Sequence, residues 1–375
     1  MFGTIKRMIK QETVLCVAAV LAVLSMAAVP PSAEYLTYPD YKTLALLFCL
    51  MSVVAGLQSI GLFDRLGHLL LQKAGDVRRL GLLLIFVCFF SSMLITNDVA
   101  LLTFVPFTIL VYRMVGREER LIKIVTLETI AANLGSMATP VGNPQNIYLY
   151  SISGISLSRF FAAVLPYAGI AFLLLLAAVW SEKAETLSEC MVNTEEEDNR
   201  EIPKEKLAAY LVLFGICLLV VAHVLPWQAA LAAVLLWMAA ADRKLFRKPD
   251  YFLLLTFVCF FVFIGNMKRM EVLRLFLEQL IGGHELLTGI AASQVISNVP
   301  AAILLSGFTD QYQTLLTAVN LGGLGTLIAS LASLISFKTY AKEYPEKKGQ
   351  YLFCFTLWNV GFLAVLTAAA VWLGA

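Results

Sequence analysis

Two short polar tips, Thr96-Asn97-Asp98 and Ser297-Asn298-Val299, interrupt apolar sequence about 200 residues apart. Asparagine, serine and threonine each bring donors and acceptors. Such a tip can therefore hold a cation on carbonyl oxygens or an anion on amide and hydroxyl donors. The two differ at their third residue: Asp98 faces a counterpart, Val299, that carries no charge. Apolar runs 82–95 and 99–112 flank the first tip, each of about 14 residues, short of the roughly 20 an upright helix needs to cross a bilayer. A carboxylate between two such runs is costly in hydrocarbon unless it lines a cavity or pathway. Asp98 is thus a candidate for cation holding or proton exchange, with capping of a helix amide as the plainer alternative. Glu128, deep inside LIKIVTLETIAANLG, is a second candidate for proton or cation coupling. Its plainer reading is a carboxyl satisfied by a buried partner such as a tip hydroxyl. For Asn97 and Asn298 the plainer reading is helix capping, which is compatible with ligand contact.

Two longer segments are interrupted rather than continuous. Segment 120–151 is broken by Gly135, Pro140, Gly142 and Pro144, and segment 312–339 by Gly322, Gly323 and Gly325. Non-helical backbone at membrane depth must be satisfied by protein groups or cavity water, and broken helices aim N-terminal amides at the break. Asn133, Gly135, Thr139, Gly142, Asn143 and Asn146 are the site candidates around the first break, with Gln145 beside them. Asn320, Gly322, Gly325 and Thr326 are those around the second. The second break is the less polar, so the two half-sites are expected to be chemically unequal.

These candidates need positioning elements. The chain of 375 residues is 59% hydrophobic, 14% charged and of mean hydropathy +0.80, against about 25% charged residues in soluble domains. The expected fold is an all-α polytopic membrane protein with two re-entrant hairpins, 79–113 and 284–309, and two broken transmembrane helices, 120–151 and 312–339. Full spans are expected near 14–30, 41–60, 159–180, 207–225, 228–241, 250–266 and 351–374, which with the broken pair makes nine. The signal-like start before 14–30 is expected to be a retained first helix, and 267–283 an amphipathic interfacial helix.

Pro39-Asp40-Tyr41 is echoed by Pro249-Asp250-Tyr251, and the run from Asn133 by the run from Asn320. Residues 1–180 and 227–375 then form two repeats, joined by a polar cytoplasmic connector, 181–206, and a linking helix, 207–226. One linking span inverts the second repeat, the arrangement of alternating-access carriers. Basic residues cluster in short loops, which sets topology rather than nucleic-acid binding. The N-terminus is expected inside and the C-terminus outside. Seven scattered cysteines lack metal spacing, the three histidines fall near span ends, and no phosphate-binding loop or hydrolytic triad occurs. An enzyme or receptor would need an extramembrane domain that the composition leaves no room for.

The motifs at 96–98, 297–299, 133–139 and 320–326 resemble those of the ion transporter superfamily, which includes divalent anion/sodium symporters, citrate permeases, arsenite permeases and sodium/proton antiporters. The resemblance covers roughly residues 40–374. It implies an elevator-type carrier, often a homodimer, in the prokaryotic cytoplasmic (inner) membrane. The hairpin tips would hold a small anion and the coupling ion, sodium or proton, with sodium near Asn97, Asp98 and Asn298 and with no cofactor. In the dicarboxylate branch both tips read Ser-Asn-Thr. Val299 and Asp98 depart from that pattern, and Asn97-Asp98 looks closer to the arsenite permease branch. A small-anion permease, a proton-coupled arsenite or antimonite efflux permease and a sodium/proton antiporter remain as readings.

Overall fold

The computed structural model describes residues 13–62, 65, 75–181, 185 and 202–374. Among these every element is a helix, as expected where lipid offers the backbone no partners. The order is α1 Thr13–Ala28, α2 Tyr41–Ser59, α3 Val77–Ile95, α4 Asn97–Met114, α5 Leu121–Ser136, α6 Pro144–Ser153, α7 Leu157–Trp180 and α8 Lys204–Val221. It continues with α9 Trp227–Ala241, α10 Tyr251–Arg269, α11 Glu271–Ile281, α12 Glu285–Ile296, α13 Asn298–Leu305, α14 Tyr312–Leu321, α15 Leu331–Glu343 and α16 Lys348–Leu373.

Helix α5 is the axis of the core: every residue from Ile124 to Ser136 is buried, including Glu128, Asn133 and three threonine or serine side chains. A helix buried on all sides needs neighbours all round. Hairpin α3/α4 supplies one wall, where a β-carbon on Gly135 would lie 2.1 Å from Phe89 O. Hence α5 can approach α3 this closely only without a side chain at 135.

Helices α3 and α4 form an antiparallel hairpin, with Tyr112 Oη 3.5 Å from Val77 O at its open end. That end gathers at Glu185, whose carbonyl accepts from Val77 N at 2.9 Å. The Glu185 carboxylate accepts from Arg117 Nε at 2.7 Å and Arg120 Nη2 at 2.6 Å. Both ends of this hairpin therefore meet at Glu185. At the open end of α12/α13, Thr309 Oγ1 donates to Glu285 Oε1 at 3.1 Å.

Several boundaries differ from the sequence expectation. Among the described residues six helices, α2, α3, α4, α7, α10 and α16, are long and apolar enough to cross a membrane, two of them the arms of the first hairpin. Helices α1 and α9 have 16 and 15 residues, and α8 opens on Lys204, Glu205 and Lys206. Helices α3 and α4 are 19 and 18 residues long, more than the apolar runs that announce them. A helix does not stop where hydrophobicity does: Asp76 caps α3 by accepting from Arg79 N at 2.8 Å, and α4 begins inside the polar tip. Most of the connector 181–206, with Cys190, and also His68 lie outside the described residues. Helix α11 exposes Val272, Phe276 and Leu280 beside an Arg274–Glu278 pair at 3.6 Å, an amphipathic pattern shorter than the stretch 267–283.

Local devices recur along the chain. Short 3-10 turns at Ala33–Thr37 and Arg243–Arg247 lead into Asp40 and Asp250, the N-caps of α2 and α10. Asp40 Oδ1 accepts from Lys42 N and Thr43 N at 3.1 and 3.2 Å, and Asp250 Oδ1 from Leu253 N at 2.9 Å. Tyr41 and Tyr251 hydroxyls reach back five residues to the carbonyls of Leu36 and Phe246, at 2.7 and 2.6 Å. Loss of either cap should cost about 1 kcal/mol. Asp40→Ala and Asp250→Ala are each expected to lower the thermal unfolding midpoint in detergent, and unchanged midpoints in both would contradict this role.

Candidate functional site

Both hairpin tips turn on a residue other than glycine at positive φ. Thr96 has φ 71 and ψ 151, and Ser297 φ 73 and ψ 153. Side chains rarely adopt this conformation, and residues so held cluster at functional sites. Neither hydroxyl caps the following helix. Ser297 Oγ instead donates to Ala329 O at 3.3 Å. The N-termini of α4 and α13 thus lie at the two tips, with Asn97 and Asn298 as their first residues.

Each break is tied to the tip of its own hairpin. Thr139 Oγ1 donates to Met93 O, and Thr326 Oγ1 to Gln294 O at 3.1 Å. Met93 and Gln294 each stand three residues before their tip, so the same bond forms twice. Asn97 N donates to Gly142 O at 3.2 Å. Gln294 adds what Met93 cannot: its Nε2 donates to Gly322 O and Leu324 O, both at 2.8 Å, and its Oε1 accepts from Thr326 N at 2.8 Å. Gly325, at φ +102, leaves room for that carboxamide, since a β-carbon there would meet Gln294 Oε1 at 2.3 Å. In the first break Asn146 plays the comparable part. It donates through Nδ2 to Thr139 O at 2.9 Å, Met137 O at 3.2 Å and Ser136 O at 3.4 Å.

The breaks are also braced against each other. Asn133 Oδ1 accepts from Asn97 Nδ2 at 2.9 Å and from Ser330 Oγ at 3.0 Å, and Asn133 Nδ2 donates to Ser333 Oγ at 3.3 Å. In the opposite sense, Asn320 Oδ1 accepts from Asn143 Nδ2 at 3.0 Å, while Asn320 Nδ2 donates to Asn146 Oδ1 at 2.7 Å. Asn143 also caps α6, accepting from Asn146 N at 2.9 Å. The structure therefore joins Asn97, Asn133, Asn143, Asn146 and Asn320 into buried networks and places Thr139 and Thr326 where break meets hairpin.

The glycines act through close approach. A β-carbon on Gly142 would sit 2.0 Å from Ser136 O, and one on Gly322 2.6 Å from Ser293 Oγ. They are packing positions that let the breaks fold. Sequence reasoning missed Gln294. The available signal was a carboxamide in an otherwise apolar helix, three residues before a tip.

Some polar groups are unspent. Asn298 and Gln145 are 3% and 2% exposed, yet neither side chain makes a hydrogen bond among the described residues. Asn298 Nδ2 fits against Gly323, where a β-carbon would come within 2.8 Å of it. Asp98 is half-buried, and its carboxylate has no ion pair or hydrogen bond among the described residues, although its backbone N–H donates to Asn97 Oδ1 at 3.0 Å. Glu128 stands apart, five residues and about 7.5 Å along α5 from Asn133. Thr108 Oγ1, in the body of α4 rather than at its tip, donates to Glu128 Oε1 at 2.5 Å. Glu128 Oε2 is buried without a partner among the described residues. No lysine or arginine is among the buried side chains of the described residues. Dipolar amides and helix ends, with two carboxyl groups at hand, can hold a small polar solute but cannot neutralise several charges at once.

An all-helical chain with six helices among the described residues long and apolar enough to cross a membrane is a polytopic integral membrane protein. The sequence profile of the citrate transporter family (CitMHS) matches residues 4–314; the chain belongs to that family of transporters, which move small solutes, and is not an enzyme. It is 31% identical over 332 residues to a transporter of Methanocaldococcus jannaschii, covering 88% of this chain and 89% of the relative. It is 32% identical over 306 residues to the inner membrane protein YbiR of Escherichia coli (strain K12), covering 80% of each. A silicon efflux transporter of Oryza sativa subsp. japonica is 34% identical over 149 residues, which is 38% of this chain and 30% of the relative.

Asn133→Ala would leave the Asn97 amide and two serine hydroxyls without their buried partner. The expected cost is about 1–3 kcal/mol, read as a lower unfolding midpoint in detergent. A variant as stable as the parent would contradict the bracing assigned to Asn133.

Proposed function

We propose that this chain is a secondary active permease for a small anion, coupled to sodium or protons and working by elevator-type alternating access. The single observation that carries the reading is the free chemistry of the tips. Asn298 and Asp98 stand unpaired at hairpin ends where the surrounding asparagines are already engaged. Paired helix N-termini at the tips favour a negative charge on the solute, and Asp98 or Glu128 would hold the coupling cation or proton. The remaining candidates, Thr96 and Ser297 among them, shape the tips.

An internal repeat is supported by the recurrence of three devices: nearly equal backbone angles at Thr96 and Ser297, aspartate caps at Asp40 and Asp250, and corresponding bonds from Thr139 and Thr326; its inversion follows from the single linking span. Re-entrant hairpins are supported by the gathering of Val77, Arg117 and Arg120 at Glu185. The same contacts favour a cytoplasmic position for that face, with its basic loops. The ion pair of Arg269 with Glu34 then belongs to the outer face. A homodimer in a prokaryotic inner membrane, with the N-terminus inside and the C-terminus outside, completes the proposal.

A second reading has its own support. Asn97-Asp98 departs from a dicarboxylate tip by adding a negative charge, and one relative is named for silicon efflux. Export of a small oxyacid such as arsenite, in neutral or singly charged form, suits a site without buried cationic side chains.

Flux into proteoliposomes under separately imposed sodium and pH gradients, with succinate, citrate, phosphate, sulfate and arsenite, tests these readings. Ion-driven uptake of one of the anions is expected for the first, and proton-driven arsenite movement for the second. Asn298→Ala is expected to cut flux at least tenfold, equivalent to about 1.4 kcal/mol, with an unfolding midpoint near that of the parent. Sodium/proton exchange without any solute would overturn both.

A further inference from the structure

The two breaks share a feature that bears on ion binding, and the inference drawn from it rests on the transport reading above. Unwound carbonyls at the broken helices of carriers are a common seat for a coupling cation. Here three carbonyl oxygens surround Asn146 Nδ2 in the first break, those of Ser136, Met137 and Thr139. In the second, two break carbonyls, Gly322 O and Leu324 O at 2.8 Å, meet Gln294 Nε2, which also lies 3.3 Å from Ile290 O on its own helix α12. In each case the point where the oxygens converge is filled by a carboxamide nitrogen.

We propose that Asn146 and Gln294 are built-in cation surrogates, whose amide nitrogens occupy the carbonyl cages of the two breaks and close both against a bound metal cation. A carboxamide nitrogen carries two donor hydrogens and partial positive charge, so it satisfies the carbonyls as a cation would. It also adds selectivity of position. The opposite ends of the two amides are engaged as well, Gln294 Oε1 by Thr326 N and Asn146 Oδ1 by Asn320 Nδ2. Neither amide can swing away without breaking a hydrogen bond at each end. A carbonyl has a second lone pair and could in principle serve two partners. At each convergence, however, the position nearest the oxygens is taken by the amide nitrogen. Any coupling cation of this carrier is thereby excluded from the breaks and left to the carboxylates, Asp98 at the tip and Glu128 in the core.

The two breaks reach this state differently. Asn146 comes from the helix that follows its own break, whereas Gln294 comes from hairpin α12/α13. The second break is consequently pinned to its hairpin by the Gln294 carboxamide, and the first through Thr139, the backbone of Asn97 and the Asn97–Asn133 side-chain bond. Met93, in the place equivalent to Gln294, has no amide to offer.

The test is sodium-specific stabilisation of the purified full chain, read as unfolding midpoint in sodium chloride against choline chloride at equal ionic strength. The parent is expected to show no sodium effect that depends on the breaks. Gln294→Glu removes both donors and sets a carboxylate among the carbonyls, so it is expected to gain a saturable, sodium-specific upward shift. Gln294→Met, which keeps length without charge, is expected to lower the midpoint equally in both salts and serves if the glutamate variant does not fold. A sodium shift in the parent that disappears in Asn146→Ala or Gln294→Met would overturn the proposal, because the carbonyls would then be ligands. A sodium shift that survives both substitutions and vanishes in Asp98→Asn supports it. These readouts need no transported solute. Failure of the flux experiment with these results intact would reject the transport reading alone.

Discussion

Everything in this chain follows from one constraint, that a backbone N–H or C=O at membrane depth must find a partner inside the protein. Helices meet it without help, so the chain is helical wherever it can be. At two places it is not, and there the cost of unpaired groups, about 1–3 kcal/mol each, has to be met by side chains. Asparagine and glutamine are the residues that meet it. One carboxamide gives two donors and an acceptor at the end of a short neutral side chain. The bonds of Asn146 to three carbonyls and of Gln294 to both faces of its break are what allow the helices to be interrupted at all.

Bracing has a consequence for motion. Asn133 on α5 reaches the second break, and Asn320 on α14 reaches the first, so each broken helix is fixed by the other. Hairpin tips and breaks are joined through Thr139 and Thr326. A body knitted this way is more naturally displaced as a unit than bent, which suits an elevator better than a gate. The clasp of Arg113 with Glu343 and Tyr344, at 3.2 and 3.3 Å, joins α4 to the end of α15. The Arg113–Glu343 pair is exposed and adds little stability.

Much of this was legible in the sequence. Polar tips in apolar surroundings and paired Asn-Leu-Gly runs announce a hairpin and a break, since lipid-facing sequence has no use for them. The Asn133 and Asn320 positions were visible for that reason, and Asp40 and Asp250 through their shared Pro-Asp-Tyr. Helix ends were less legible. Charged first turns such as that of α3 continue a helix beyond its apolar run. The roles within the site were hidden too. Asn146 and Asn298 look alike in a sequence, yet one is spent on backbone carbonyls and the other is free. Which of them is free depends on where three carbonyls of the break converge, and only the fold decides that. Gln294 escaped notice for the same reason.

The central claim is that the tip at Asn298 meets the solute and is carried from one side of the membrane to the other. Its most direct test is alkylation of Asn298→Cys, in a background without the native cysteines, by a membrane-impermeant maleimide added from each side of oriented vesicles. The account predicts labelling from both sides, slowed in both cases by whichever solute the protein transports. Labelling from one side alone, at a rate the transported solute leaves unchanged, would contradict it.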